Sequence, residues 1–164
     1  MGSDGADTPA INGPAWERTA LLVVPPNDVD EVHDSVDDFW HLNVDLGGRE
    51  RMRFETALLE LAANVIEHTE GAERVLCELT LRRTSTALEA MLSDSGNEVQ
   101  VPFRKAMPDP AELAESGRGI ALIELLMDDF AYERGAEGNR WHLVMHVPES
   151  LQRDHHVAAG PCPG

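Results

Sequence analysis

The pattern of apolar and polar positions along the chain predicts five β-strands. Each predicted strand is a short apolar or alternating stretch bounded by glycine, proline or polar residues. The five stretches are residues 16–24, 75–81, 86–92, 130–134 and 140–147. Pro25 and Pro26 end the first stretch, because proline cannot donate to a sheet ladder. The second and third stretches are expected to form a hairpin or meander, and the last two a closing hairpin.

Apolar residues recur at helical spacing in three further stretches. The first predicted helix begins after a cap at Asn27 or Asp28, and the glycine pair at 47–48 ends that region. The second and strongest helix is predicted over residues 49–69. The third is predicted over residues 119–129, ahead of the closing hairpin.

The second predicted helix has an unusually wide apolar surface. At ~100° per residue, its apolar side chains cover much more than half of the circumference. An ordinary surface helix has an apolar stripe of about 100° or somewhat more, so this helix should be covered on most sides. Its narrow polar stripe comprises Arg53, Thr56, Glu60, Asn64, Glu67 and His68. Polar groups on a mostly covered helix are expected to line a cavity.

The order of the elements is β, α, α, β, β, long loop, α, β, β. A parallel crossover fold would alternate strictly, so this order predicts an α/β (α+β) two-layer sandwich. The sheet should be mixed and mostly antiparallel, with the helices on one face. Residues 93–117 are long for a connection and are expected to form a functional lid. A disordered lead at 1–15 and a flexible tail at 149–164 would flank one domain at 16–148.

Charge and composition exclude several function classes. The chain has 164 residues and a formal net charge of −17. A field of that sign repels phosphate backbones, so direct nucleic-acid binding is not expected, whereas a local nucleotide site is compatible with it. Cys77 and Cys162 form no ligand cluster, which favours a reduced compartment without zinc. The start lacks signal-peptide features and no apolar run approaches ~20 residues, so a cytoplasmic protein without a membrane span is expected.

Glu60 and Asn64 are the first candidate for chemistry. They stand four residues apart, which puts both side chains on one helix face about one turn (~6 Å) apart. A carboxylate there can take a proton from a hydroxyl or water, and the amide oxygen can hold a hard cation such as Mg²⁺. The alternative for this pair taken alone is a solvated helix face.

Two glycine-containing motifs are the next candidates. Asp94-x-Gly96 follows a predicted strand, where the Asp94 carboxylate can accept a hydrogen bond from the amine of adenine and Gly96 lets the backbone approach the purine. The alternative is an Asx turn that ends the strand. Gly117-Arg118-Gly119 comes just before the third predicted helix, where free N–H groups and the helix dipole bind anions. The alternative there is a flexible loop-to-helix joint.

Together these motifs resemble those of the histidine-kinase-like ATPases, which have the Bergerat fold. The N box of that superfamily is similar to ETALLELAANVIEHTEG, and its first glycine box is similar to LSDSGNEV. The second glycine box is similar to ESGRGIALIELLMDDFAYERGAEGNRWHLVMHV. The small size and the D-D-x-x-Y…G-N-x-W-x-L ending are most similar to the bacterial anti-sigma-factor serine kinases. The resemblance covers residues 16–148.

The resemblance implies that ATP and Mg²⁺ bind between the helices and a mobile lid. It implies that Glu60 is the general base, that Asn64 is the Mg²⁺ ligand and that Asp94 recognises adenine. The other nucleotide-binding positions that it implies are Gly96, Gly117, Arg118, Gly119 and Ile120, and His68 matches a family histidine. A family member binds a sigma factor and phosphorylates a Ser or Thr of a STAS-domain anti-anti-sigma protein. A homodimer is a further expectation.

Two departures from the family pattern keep other functions open. Residues 27–45 contain seven acids and no Lys or Arg, where the family often has arginine for partner contact, so either a partner that docks there is basic or the partner contact lies elsewhere. The second glycine of the first box is replaced by Asn97-Glu98, which would stiffen the lid or weaken nucleotide binding. The alternatives are a non-catalytic, nucleotide-binding partner-switch module and a kinase of the same fold in another signalling pathway.

Overall fold

The structure is a computed structural model, and it describes residues 16–24, 28–68, 74–99 and 115–151. The predicted lead at 1–15, most of the predicted lid and the tail from residue 152 lie outside the described residues. In chain order the elements are β1 Trp16–Val24, α1 Val29–Leu42, α2 Gly48–His68, β2 Val75–Arg83, β3 Ala87–Asp94, α3 Glu115–Leu126, β4 Asp129–Arg134, β5 Asn139–His146 and a 3₁₀ helix Glu149–Leu151. The predicted two-layer α/β architecture is confirmed.

The five strands form one sheet in the order β1-β2-β3-β5-β4. All four strand pairs among the described residues are antiparallel, which agrees with the predicted mostly antiparallel sheet. Because β5 lies between β3 and β4, the connection through α3 crosses over β5, and β3 and β4 run in the same direction. Side chains at alternate positions, such as Cys77, Leu92 and Leu143, are buried on the sheet face that carries the helices.

Helix α1 begins with a capping box at Asp28. The Asp28 side chain accepts a hydrogen bond from the Asp30 N–H at 2.8 Å, and the Glu31 side chain accepts one from the Asp28 N–H at 2.8 Å. These two bonds satisfy N–H groups that have no partner within the helix, which fixes where it starts. One face buries Val32, Ser35, Val36, Phe39 and Trp40, and the other exposes most of the acidic residues that the sequence places there.

Helix α2 is the central helix of the domain. Among its side chains up to Glu67, only those of Arg49, Met52 and Glu67 are exposed, which confirms that the helix is covered on most sides. Met52, one of the apolar side chains of this helix, is 64% exposed. The helix packs against α1, α3 and β3. Its Arg53 Nη2 donates to the Leu126 carbonyl at 2.6 Å and so holds the C-terminal end of α3.

Helix α3 begins four residues earlier than predicted, at Glu115 instead of residue 119, and ends at Leu126 instead of residue 129. The glycines of the 117–119 motif suggested a joint because of their low helix propensity. Packing of α3 against α2 outweighs that weak preference. Asp129 then belongs to β4, because its register partner Val144 adds it to the sheet.

A buried arginine joins the end of the fold to the turn between α1 and α2. Arg83 is completely buried at the end of β2. Its two terminal nitrogens donate to the Asp45 carboxylate at 3.2 and 2.9 Å, and Nη2 also donates to the Leu151 carbonyl at 2.9 Å. The described structure therefore continues through Leu151, three residues beyond the predicted domain boundary at 148. None of the described helices has the length and apolar character that a bilayer crossing needs.

Candidate functional site

Three of the predicted site residues meet where α2 packs against α3. Glu60 and Asn64 lie one turn apart on α2, as the sequence predicted, and both are half-buried. Gly119 of α3 faces them: a Cβ at Gly119 would lie 2.6 Å from Asn64 Nδ2 and 3.0 Å from Glu60 Oε2. Only a residue without a side chain lets the two helices approach this closely. The contact brings the carboxylate, the amide and the glycine motif together.

The Asn64 side chain has a defined orientation. Its Nδ2 donates to the Glu60 backbone carbonyl at 2.7 Å. The amide nitrogen is therefore used within α2, and the amide oxygen is the atom of this side chain that binds hard cations. A carboxylate and an amide oxygen side by side can accept a proton and hold a metal–phosphate group, respectively.

The start of α3 differs from the anion site that the sequence predicted. Gly119 and Ile120 are the fifth and sixth residues of the helix, so their N–H groups belong to the helical ladder rather than preceding it. Anion-binding N–H groups are those of the first turn, which includes Gly117. The Ile120 side chain is buried in the core. The side chains of Arg118, and of His68 at the end of α2, lie outside the described residues.

Asp94 forms a second group at the end of β3. Its side chain is buried, and its Oδ1 accepts a hydrogen bond from the Gly96 N–H at 2.9 Å. This is the Asx turn that the sequence left as an alternative. The carboxylate also accepts bonds from two other side chains: Asn139 Nδ2 donates to Oδ1 at 2.8 Å, and Trp141 Nε1 donates to Oδ2 at 3.0 Å. Asp94 is thus a turn residue and a buried hydrogen-bond acceptor.

Sequence reasoning missed the residues that hold Asp94. Asn139 and Trp141 appear in the G-N-x-W pattern but had no assigned role. The turn before them depends on Gly138, whose φ is +145° and where a Cβ would lie 1.9 Å from the Asp94 carbonyl oxygen. The signal that could have found them is the sheet register, since Asn139 is the direct partner of Asp94.

Asp94 also affects a buried thiol. Cys77 is the register partner of Asp94 on β2 and is 2% exposed. Burial raises the pKa of the Cys77 thiol to about 11, and the nearby Asp94 charge adds to the increase. A thiol with so high a pKa is a weak nucleophile at neutral pH, so Cys77 is a core residue rather than a reactive group.

A groove of about 630 Å³ opens beside the Asp94 end of the sheet. Its lining includes Asp94, Ser95 and the β4–β5 turn from Gly135 to Gly138, together with Glu78 on β2. Glu60 and Asn64 do not line it. The candidate proton acceptor and cation ligand are therefore at the contact between α2 and α3 and not in the lining of this groove.

A comparison with protein families identifies the domain. A family model described as histidine kinase-like ATPase domain matches residues 25–145, about three quarters of the chain. The matched range includes every candidate site residue from Glu60 to Trp141. A search of curated proteins found no match.

Proposed function

The chain belongs to the histidine kinase-like ATPase domain family, and on that premise we propose that it is an ATP-dependent protein serine/threonine kinase of the anti-sigma type. It would bind a sigma factor and phosphorylate a Ser or Thr of a STAS-domain anti-anti-sigma partner. The observation that carries the proposal is the contact of Glu60 and Asn64 with Gly119, because it joins a candidate proton acceptor and a candidate cation ligand to α3, one turn after the start of that helix.

ATP would be held by the two groups described above. Asp94 would accept a hydrogen bond from the exocyclic amine of adenine, with Gly96 allowing close approach of the base. The first-turn N–H groups of α3 near Gly117 would bind phosphate oxygens, with Arg118 as a source of positive charge. His68, at the end of α2, stays a further candidate nucleotide contact.

Asn64 is suited to bind a Mg²⁺ ion that is also bound by the phosphates of the nucleotide. Its amide oxygen is a hard donor, and the amide nitrogen is held by the Glu60 carbonyl. Among the described residues there is no group of three His, Cys, Asp or Glu side chains that could hold a metal without the nucleotide. Magnesium bound there would neutralise charge on the phosphate oxygens.

Glu60 would act as the general base. Phosphoryl transfer needs an aligned hydroxyl, a base and positive charge near the γ-phosphate, and little covalent chemistry from the protein. The Glu60 carboxylate would accept the proton of the substrate Ser or Thr hydroxyl as that oxygen attacks. Asn64 and the first turn of α3 would keep the γ-phosphate in place.

The acidic surface of α1 indicates the chemistry of a partner. Its outer face carries Asp30, Asp34, Asp37 and Asp38, all exposed, and α1 contains no Lys or Arg. Asp38 forms an ion pair with Arg18 of β1 at 2.6 Å. A partner that docks on α1 would therefore present basic residues.

The first test is a calorimetric titration with ATP, ADP and GTP, each with and without Mg²⁺. Adenine-selective, Mg²⁺-enhanced binding supports the proposal. No binding at millimolar nucleotide contradicts it. An Asp94→Asn variant should lose the preference for ATP over GTP, because an amide places N–H groups where the carboxylate accepts bonds.

The second test measures transfer of the γ-phosphate of labelled ATP to candidate STAS-domain proteins. Glu60→Gln should reduce transfer at least 100-fold, since general-base catalysis contributes roughly 10²–10⁴-fold. Glu67→Gln is the matched control, because Glu67 lies on the same helix and is exposed. Equal activity of the Glu60→Gln variant and the control would contradict the assignment of the base.

One observation favours a second candidate function. Asp94 already accepts three hydrogen bonds within the protein, which suits a module that binds nucleotide as a structural ligand and switches partners without catalysis. Nucleotide binding with no phosphoryl transfer to any STAS-domain protein would support that module. Transfer to a protein unrelated to sigma-factor control would instead support a kinase in another pathway.

A further inference from the structure

We propose that Asn139 is a positioning residue that orients Asp94 for adenine. With Trp141, it would leave one acceptor position on Asp94 Oδ2 for the exocyclic amine. This inference rests on the proposed nucleotide site, and it concerns specificity rather than the transfer reaction. The evidence for it is a hydrogen-bond network in which every donor and acceptor position of the Asn139 amide has a partner.

The sheet register brings the network together. Asp94 of β3, Asn139 of β5 and Arg134 of β4 are direct partners across three adjacent strands. Residues that are partners in this way have their side chains on the same face of the sheet. Two residues further along β5, Trp141 is the partner of Tyr132 of β4. The two rows therefore surround the Asp94 carboxylate on one face.

The Asn139 amide can take only one orientation. Its Nδ2 donates to Asp94 Oδ1 and to the Asn97 carbonyl, both at 2.8 Å. Its Oδ1 accepts from Tyr132 Oη at 2.8 Å and from Arg134 Nη1 at 3.0 Å. A flipped amide would set its oxygen against two acceptors. All four hydrogen-bonding positions of the amide are used, and Asn139 is 3% exposed.

The number of acceptor positions left on the Asp94 carboxylate explains why the site would prefer a base with an amine to a base with a carbonyl. A carboxylate has about four lone-pair positions, two on each oxygen. Gly96 and Asn139 use both positions on Oδ1, and Trp141 uses one on Oδ2. One position remains, on Oδ2. A carboxylate held by three N–H donors presents that position in a fixed direction, and a base that offers a carbonyl there would be repelled.

The same network reaches the residues that follow β3. Arg134 Nη1 donates to the Gly96 carbonyl at 2.6 Å, and Tyr132 Oη accepts from the Val99 N–H at 3.1 Å. With the Asn139–Asn97 bond, these contacts fix the backbone from Gly96 to Val99. The segment that replaces the second glycine of the box is thus held by side chains of β4 and β5. Asn139 orients the carboxylate and this segment together.

The test compares ATP with inosine triphosphate, whose base has a carbonyl in place of the exocyclic amine. The variants are Asn139→Ser, whose shorter side chain cannot reach the same partners, and Trp141→Phe, which removes the Oδ2 donor. Phe at 141 keeps an aromatic ring between Phe130 and Tyr132, which pack against Trp141 at centroid distances of 6.3 and 4.4 Å. Arg140→Gln is the matched control, because this neighbouring side chain is 65% exposed.

The expected result is a change in selectivity. The wild-type chain and the Arg140→Gln variant should bind ATP about 10-fold or more tightly than inosine triphosphate, consistent with one oriented hydrogen bond and its mismatch penalty. Asn139→Ser should bring this ratio to within about 2-fold by weakening ATP alone, and Trp141→Phe should lower it at least about 3-fold. A purely structural role would weaken both nucleotides equally.

Other results overturn the inference in distinguishable ways. An unchanged ratio in both variants, or an equal loss of both nucleotides, rejects Asn139 as a positioning residue while the nucleotide site stands. Equal binding of both nucleotides by the wild-type chain rejects recognition of the amine. No binding of ATP by the wild-type chain rejects the proposed function itself. If circular dichroism shows that the Asn139→Ser variant is unfolded, the ratio of ATP to inosine triphosphate affinity in the Trp141→Phe variant decides whether the inference holds.

Discussion

Replacing Gly119 with alanine tests the contact between α2 and α3. The new Cβ would lie 2.6 Å from Asn64 Nδ2, closer than real Cβ contacts, so one of the two groups must move. The backbone of α3 is packed against α2, whereas the Asn64 side chain can rotate. We therefore expect the amide to leave the Glu60 carbonyl, which it contacts at 2.7 Å.

Two opposing terms determine the stability of this variant. Loss of one intramolecular hydrogen bond costs about 1 kcal/mol. Alanine in place of glycine within a helix contributes about 1 kcal/mol of stabilisation. The two terms nearly cancel, so the free energy of unfolding should change by less than about 1 kcal/mol. Binding of Mg·ATP should nevertheless fall at least about 10-fold, because the displaced amide no longer supplies an oriented cation ligand.

The assay combines thermal unfolding with calorimetric titration of Mg·ATP. Gly48→Ala is the matched control, since Gly48 begins α2 and a Cβ there meets nothing within 4 Å. It should keep wild-type nucleotide affinity. Wild-type affinity in the Gly119→Ala variant would refute the argument that this contact is part of the nucleotide site, and a large loss of stability would refute the cancellation.

Three further predictions follow from the structure. Asn64→Ala should weaken binding of Mg·ATP more than binding of metal-free ATP, and an equal loss of both would contradict the ligand assignment. Gly138→Ala should destabilise the fold by more than about 3 kcal/mol in a denaturant titration, since its Cβ would collide with the Asp94 carbonyl at φ +145°; a small change would show that the β4–β5 turn adapts. In a Cys162→Ser background, Cys77 should resist iodoacetamide at pH 8 and react in denaturant. Because its folded pKa is raised from 9.0 to about 11, stability should be full below pH 9 and fall as the pH rises towards 11; a flat profile from pH 8 to 11 would contradict this.

Local pattern was sufficient for most of the fold. The first strand runs from Trp16 to Val24 as predicted, because proline at 25 and 26 sets its end. The Asp28 cap and the wide apolar surface of α2 were also predictable, since both follow from residue types within one element. The start of α3 was not, because it depends on packing against α2 and not on the propensity of its glycines.

The candidate site was also only partly predictable from the sequence. Glu60 and Asn64 share a helix, so their spacing predicts that they lie on one face. Their contact with Gly119 joins residues more than 50 positions apart and appears only when α3 is packed on α2. The roles of Asn139 and Trp141 depend on which residue of β3 lies opposite each of them, and register between strands is a property of the folded sheet.

The strand order has a consequence for the way the chain reaches its fold. The hairpins β2–β3 and β4–β5 close over short turns, whereas β1 must wait for β2, about 50 residues later, with both α1 and α2 between them. Long-range pairing has a larger entropic cost and forms more slowly than local pairing. During synthesis, β1 therefore stays without its partner until both helices have been made, and the sheet is complete only after β5 has paired with β3.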